Sequence, residues 1–306
     1  MARVLVLFMD GVGLGSDDPA LNPLAAAAMP RLSELLGGRR LLLSAVPYEG
    51  PEATLLAVDP CLGVNGSPQS ASGQAAILTG RNVPLETGEH YGPKPNPAIA
   101  AIVRQGNLFV DVTRRGGTAA LLNAYPPRYF QGIESGRRLY SCIPLAATIA
   151  GVPLRSAEDL KRGQALSADF TGEGWSLQPG FPRAPVYEPA EAGARLGALA
   201  RQVDLAWFDY WPSDYAGHRN NLEESKRLLE SFDGVLGGLA RAYRGSPDLI
   251  AVTSDHGNLE DLDRRGHTRN PVPALLIGPA DTRRQFAAGL TDLTGFAPAI
   301  LRTIFG

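Results

Sequence analysis

Apolar runs that end in a polar residue or a glycine recur along the chain: "RVLVLFM" (3–9), "TAALLNA" (118–124), "VDLAWFDYW" (203–211), "DLIAVTS" (248–254) and "PALLIG" (273–278). They are continuous rather than alternating, which predicts strands covered on both faces, as in a parallel sheet. Stretches of helical period lie between them. In "NLEESKRLLESFDGVLGGLARAY" (221–243), Leu222, Leu228, Leu229, Phe232, Leu236 and Leu239 share one side. "QSASGQAAILTG" (69–80) predicts a helix stopped at Gly80, and "TGFAPAILRTIFG" (294–306) a short amphipathic one. Strands alternating with helices predict an α/β protein, with a doubly wound, mostly parallel central sheet flanked by helices. Such sheets bind ligands at the carboxyl ends of their strands.

The middle breaks this pattern. From about 125 to 190 the chain is rich in Pro, Gly and Arg and shows no clean alternation of strands and helices. We expect a small cap or loop elaboration there, within a single domain spanning 1–306. No repeat or low-complexity tract is present.

The composition narrows the function. The 306 residues are 44 % hydrophobic and 20 % charged, with a formal net charge of −2. That is an ordinary globular composition without a polyanion-binding surplus, so neither nucleic acid nor a membrane is expected as partner. It says nothing of oligomeric state. Two cysteines, Cys61 and Cys142, make no disulfide framework. The apolar start "MARVLVLFMDG" is interrupted by Asp10 too soon for a membrane span and carries no cleavage signal. The expected compartment is the cytoplasm.

The polar residues at the strand ends carry the chemistry. Asp10 closes the first run. Asp214 and His218 follow the run 203–211, Asp255 and His256 close "DLIAVTS", and His267 precedes "PALLIG". Singly, each has a plain explanation: an Asp after a strand is usually a turn or cap residue, and a lone His usually lies on the surface. Together they place three of the four histidines and three aspartates at one end of the predicted sheet. Asp and neutral His are ligands for Zn²⁺ or Mn²⁺, with Mg²⁺ a further candidate, and six of them suit two divalent metal ions better than one. His90, in "TGEHYGP", reads as structural or substrate-facing. Ser70, near a helix start, could be a nucleophile beside an anion-binding N-terminus, with Ser67 and Ser72 as competitors. "GVGLGS" lacks the last glycine of a dinucleotide fingerprint, and no G-x-S-x-G elbow surrounds these serines. Arg128, Arg137 and Arg138 are candidates for holding a substrate phosphate or carboxylate.

"MDGVGLG", "QSASGQAAILTG", "DYAGH", "SDHGN" and "GHTRNPVP", in this order, resemble the motifs of the alkaline phosphatase superfamily, which includes cofactor-independent phosphoglycerate mutase and phosphopentomutase. The resemblance covers roughly the first 90 and the last 105 residues and implies an alkaline-phosphatase-like fold. It further implies that Asp214, His218 and His267 hold one metal, and that Asp10, Asp255, His256 and the Ser70 oxygen hold the other. Ser70 would attack phosphorus in line and form a phosphoserine, later passed to water or a second hydroxyl. Gln74 stands where the mutases have a histidine four residues after the nucleophile, the chain has no room for the large inserted domain of the phosphoglycerate mutases, and the Pro and Arg of a sulfatase nucleophile motif are missing. The expected function is therefore a metal-dependent phosphoesterase acting on a small phosphorylated metabolite. A phosphomutase of the same superfamily is the alternative, and a catalytically silent metal-binding protein a second one.

Overall fold

The computed structural model describes residues 2–177 and 184–306. Among the described residues the strands are β1 Val4–Met9, β2 Tyr48–Glu49, β3 Ala53–Val58, β4 Ala119–Leu121, β5 Ala124–Tyr125, β6 Arg155–Ser156, β7 Leu205–Tyr210, β8 Leu249–Thr253 and β9 Val272–Ile277. Seven form the central sheet in the order β2-β3-β9-β8-β1-β7-β4. β1 is its axis and pairs in parallel with β7 on one side and β8 on the other. Val4, Val6 and Phe8 enter one core, and Leu5, Leu7 and Met9 the other. Helices Ser70–Thr79, Cys142–Ile149 and Phe296–Phe305 cover the first face, and Pro189–Ala200 and Leu222–Tyr243 the second. This double cover explains the unbroken apolarity of the strands. At about 1.5–3 kcal/mol per fully buried large apolar side chain, β1 alone anchors firmly the strand end that carries Asp10.

The fold is α/β with a mostly parallel, helix-flanked sheet, as the sequence predicts, with local corrections. The run 273–278 is not parallel to its neighbours: β9 is antiparallel to both β8 and β3. The β2–β3 hairpin was not anticipated. Its β3, ATLLAV, is an apolar run buried at all but Leu56 and Ala57, while β2 is only two residues long. The run 118–124 is two strands rather than one. Asn123 interrupts it, because its side chain donates to the Asp209 carbonyl and accepts from the Asp209 N–H, both at 2.8 Å. The chain then leaves the sheet, and β5 pairs with β6 in a separate two-stranded sheet.

The segment from about 125 to 190 contains helices Pro127–Glu134, Cys142–Ile149, Ala157–Lys161 and Glu173–Ser176. Cys142–Ile149 belongs to the main core, with Cys142, Ile143, Ala146 and Ala147 fully buried. That part is a structural helix rather than a loop laid over the core. Residues 178–183 of this segment lie outside the described residues. Among the described residues, no helix is long and apolar enough to cross a membrane.

Candidate metal centre

Because β1, β7 and β8 are parallel neighbours, their carboxyl ends open at one edge of the sheet. Asp10 follows β1, with its N–H donating to the Tyr210 carbonyl at 3.2 Å. Helix Pro212–Arg219 starts directly after β7 and sets Asp214 and His218 four residues apart on one side. Asp255 and His256 follow β8. The chain then loops out and returns to β9, and the Thr268 N–H to Gly257 carbonyl bond (3.0 Å) closes the loop base so that His267 comes back over His256. Ser70 is the first residue of helix Ser70–Thr79, whose N-terminus carries no side-chain cap.

The ligand-type atoms converge in two groups that meet at His256. His256 Nε2 lies 3.0 Å from Ser70 Oγ, 3.4 Å from Asp10 Oδ1 and 3.6 Å from Asp255 Oδ2. In the second group, Asp214 Oδ2 is 3.4 Å from His218 Nε2, Asp214 Oδ1 is 3.7 Å from His267 Nε2, and the two histidine Nε2 atoms are 3.3 Å apart. Asp10, Asp255 and His256 thus form one potential metal group, while His256 also falls with Asp214 and His267. His267 Nδ1 sits 2.8 Å from the Pro68 carbonyl, and His256 Nδ1 3.3 Å from that of Gly257. A carbonyl can only accept, so each Nδ1 carries the proton and each Nε2 presents a lone pair to the cluster.

The electrostatics ask for cations. Burial, followed by Asp255 and Asp214, drives the Asp10 carboxyl well above its ordinary range. Burial and then Asp214 push Asp255 to about 8. Burial lowers His256 far below its ordinary value, reinforced by His267, and burial lowers His267 too. Among the described residues, none of Asp10, Asp214 and Asp255 pairs with a Lys or Arg, and the buried Asp10 Oδ1 has no hydrogen-bond partner. Three crowded carboxylates and three imidazole lone pairs suit divalent metal ions.

Supporting residues escaped the sequence reading. Glu260, 2 % exposed, accepts from the Gly13 N–H at 2.9 Å, the Asn258 N–H at 2.8 Å and Asn270 Nδ2 at 3.0 Å, and from the Thr268 hydroxyl. One buried carboxylate thereby ties the loops after β1 and β8 to the return before β9. Asn258 Nδ2 donates to Asp214 Oδ1 at 2.7 Å. Ser254 Oγ accepts from the Val12 N–H at 2.9 Å. Gly11, at φ +70°, leaves room for Asp214, since a Cβ there would lie 2.7 Å from Asp214 Oδ1. Nothing in the local pattern marks Glu260, because its donors belong to separate turns and one of them, Gly13, lies at the other end of the chain. Gln74, the residue that departs from the mutase pattern, donates to Asp255 Oδ2 at 3.2 Å.

The other candidates lie further out. His90 is partly buried beside the backbone of Cys61 and Val64 and touches no ligand side chain. Arg128, Arg137 and Arg138 are exposed, with the Arg138 guanidinium 4.7 Å from the Tyr129 ring centre. Ser72 is buried and structural: its Oγ accepts from the Tyr91 N–H at 3.0 Å and donates to the Gln69 carbonyl at 3.2 Å.

Residues 191–304, which carry Asp214, His218, Asp255, His256 and His267, match the Metalloenzyme superfamily model. The likeness is to the alkaline phosphatase superfamily. A 2,3-bisphosphoglycerate-independent phosphoglycerate mutase of Desulforudis audaxviator is 33 % identical over 132 residues, which are 39 % of this chain and 26 % of that protein. The match thus spans about a quarter of that relative's length. Among solved structures, the PH0037 protein from Pyrococcus horikoshii superposes with a TM-score of 0.58 at 16 % identity, covering 99 % of this chain and 96 % of its own. The alkaline phosphatase from the Antarctic bacterium TAB5 gives 0.54 at 14 % identity, covering 99 % and 97 %. These superpositions show the alkaline-phosphatase-like fold, and the sequence match shows the likeness to the cofactor-independent mutase.

Proposed function

We propose that the protein is a two-metal phosphoesterase that cleaves small phosphorylated metabolites through a phosphoserine at Ser70. The observation that carries this reading is the position of the Ser70 hydroxyl, at the head of an uncapped helix and 3.0 Å from His256 Nε2, where the two ligand groups meet. Asp214, His218 and His267 would hold one divalent ion, and Asp10, Asp255 and His256 the other, with the Ser70 oxygen beside it. Zn²⁺ and Mn²⁺ fit this cysteine-free donor set best. When bound, such a pair supplies Lewis acidity to the entering and leaving oxygens of an in-line displacement. The chain's own part is positional. The helix N-terminus favours the phosphate dianion, and the rigid first turn aims Ser70 Oγ at phosphorus. In the first step the Oγ–P bond forms as the bond to the substrate alcohol breaks, and the alcohol leaves with a proton. In the second, water takes the phosphoryl group and Ser70 regains its hydroxyl.

The names of the curated relatives favour a second reading, a phosphomutase in which the phosphoryl group returns to another hydroxyl of the same substrate. Gln74 in place of a histidine favours hydrolysis. The test is a panel of phosphorylated metabolites and an aryl phosphate, offered to the Zn²⁺- and Mn²⁺-loaded protein. Release of inorganic phosphate with a labelled Ser70 supports the esterase. Isomerisation of a substrate without phosphate release overturns it in favour of the mutase, and inertness towards every ester with metal bound overturns both.

A further inference from the structure

A transferring phosphoryl group spreads negative charge over three equatorial oxygens. The metal pair would serve the entering and leaving oxygens, and the helix N-terminus offers only a partial charge to the others. Among the described residues, Lys94 is a cation placed to complete that charge balance. After helix Ser70–Thr79 the chain doubles back on it: the Tyr91 N–H donates to Ser72 Oγ at 3.0 Å, and the Ser72 N–H donates to the Tyr91 carbonyl at 2.9 Å. Gly92 then passes so near the nucleophile that a Cβ there would lie 3.2 Å from the Ser70 nitrogen. Two residues on, Lys94 is partly buried and, among the described residues, forms no ion pair.

Opposite it lies Asp209. On β7, Leu205 and Trp207 point to the face that carries the Ser70 helix, so by alternation Asp209 ends that column at the carboxyl edge. It is 6 % exposed, its Oδ1 has no hydrogen-bond partner among the described residues, and its backbone is clamped by Asn123. Burial raises Asp209 to about 7 while the charge of Lys94 holds it down. Burial, then Arg138, lowers Lys94, while Asp209, Cys142 and Asp10 support its charge. Cys142 Sγ is itself 3.2 Å from the carbonyl of Ala71, next to Ser70. Lys94 thus stands two residues from the backbone that passes Ser70, and its charge and that of Asp209 act on each other. A mere neutralising partner for Asp209 would close to a contact ion pair, and Lys94 does not.

We propose that Lys94 is a substrate-contacting residue whose ammonium binds a non-bridging oxygen of the phosphoryl group at Ser70, with Asp209 keeping that charge in place. The assignment rests on the phosphoryl-transfer reading of the site, but its test does not depend on turnover. Binding of inorganic phosphate to the metal-loaded protein is measured by calorimetry for the parent, Lys94→Ala, Lys94→Met and Lys94→Arg, with metal content determined for each. One charge-assisted contact is worth about tenfold or more in Kd. Ala and Met should weaken phosphate by at least that factor at unchanged metal content, with Arg recovering part of it. Phosphate binding within about twofold of the parent in Ala and Met, or loss of metal from both, overturns the proposal. Met keeps most of the buried alkyl stem and decides the matter if Ala fails to fold. A parent that binds metal but no phosphate overturns the phosphoryl-transfer reading as well. A parent that binds phosphate through Lys94 yet cleaves no ester leaves Lys94 standing and removes only the esterase.

Discussion

The rings of His256 and His267 stack face to face, with 3.7 Å between centroids and 13° between planes. Each is fixed by an Nδ1 bond to a main-chain carbonyl, so both Nε2 atoms stay on the cluster side. His256 serves both groups of ligand atoms, whereas His218 serves one. His256→Ala is therefore expected to lose the ion of Asp10 and Asp255 and, by removing the ring stacked on His267, to weaken the other, whereas His218→Ala weakens only its own. Elemental analysis of metal-loaded, gel-filtered variants checks this, and equal losses in the two would contradict it.

Ser70→Ala is expected to lower turnover of an aryl phosphate by roughly 10³-fold or more while metal content stays at the parent level, because the Asp and His ligands remain. Ser72→Ala removes the anchor of the Tyr91 turn and should cost about 1–2 kcal/mol of stability, with only a mild effect on rate. Steady-state kinetics beside thermal melts separate the two. An active Ser70→Ala and a dead Ser72→Ala would mean that the nucleophile has been placed on the wrong serine.

The crowded carboxylates fix the pH dependence of the metal-free protein. Asp255 moves from 3.8 to about 8 and Asp209 from 3.8 to about 7, both chiefly through burial, and Asp10 is raised likewise. The folded state keeps protons that the unfolded chain has released. Their contribution to stability is complete below 3.8 and is lost as pH rises through the folded values. His256 and His267 are lowered by burial from 6.5, so they weaken the fold only as pH falls below that value. Between 6.5 and about 8 the carboxylates alone act, and the melting temperature of the chelated protein should fall across that window. Metal loading should flatten the fall. Scanning calorimetry with and without chelator reads both curves, and a rising melting temperature in chelator would refute the assignment.

Glu260→Gln replaces a buried acceptor of four hydrogen bonds with a group that also presents N–H donors to donors. The expected cost is roughly 2–3 kcal/mol of stability, together with weaker retention of metal, since the three loops it joins carry ligands. Denaturant unfolding and a chelator competition measure the two effects. A variant unchanged in both would show that the loops are held by other contacts.

The ligand residues could be read from sequence because each follows an apolar run whose end is a physical boundary. A strand buried on both faces usually ends near its first charged side chains: Asp10 and Asp255 stand just past β1 and β8, and Asp214 on the helix that follows β7. His267 was legible as a residue but not as a neighbour of His256, because that depends on β9 running antiparallel, which no local pattern encodes. Lys94, Asp209 and Asn123 were passed over for the same reason. Asp209 lies inside an apolar run, and its meaning comes from a helix and a loop more than a hundred positions away. Glu260 owes its role to four donors drawn from separate turns. The hairpin of β2 and β3 is not legible because the edge strand β2 is only two residues long and leaves no pattern to pair with β3.

The antiparallel entry of β9 has a dynamic consequence. Asp255, His256 and His267 all ride on the single excursion between β8 and β9, which leaves and re-enters the sheet at the same end. Opening of that one loop would dismantle both ligand groups at once. Occupancy of either group should then restrain the loop in the shape that the other needs, so the second ion is captured more tightly than the first, and amide exchange throughout 254–271 slows as one cooperative unit rather than in two stages.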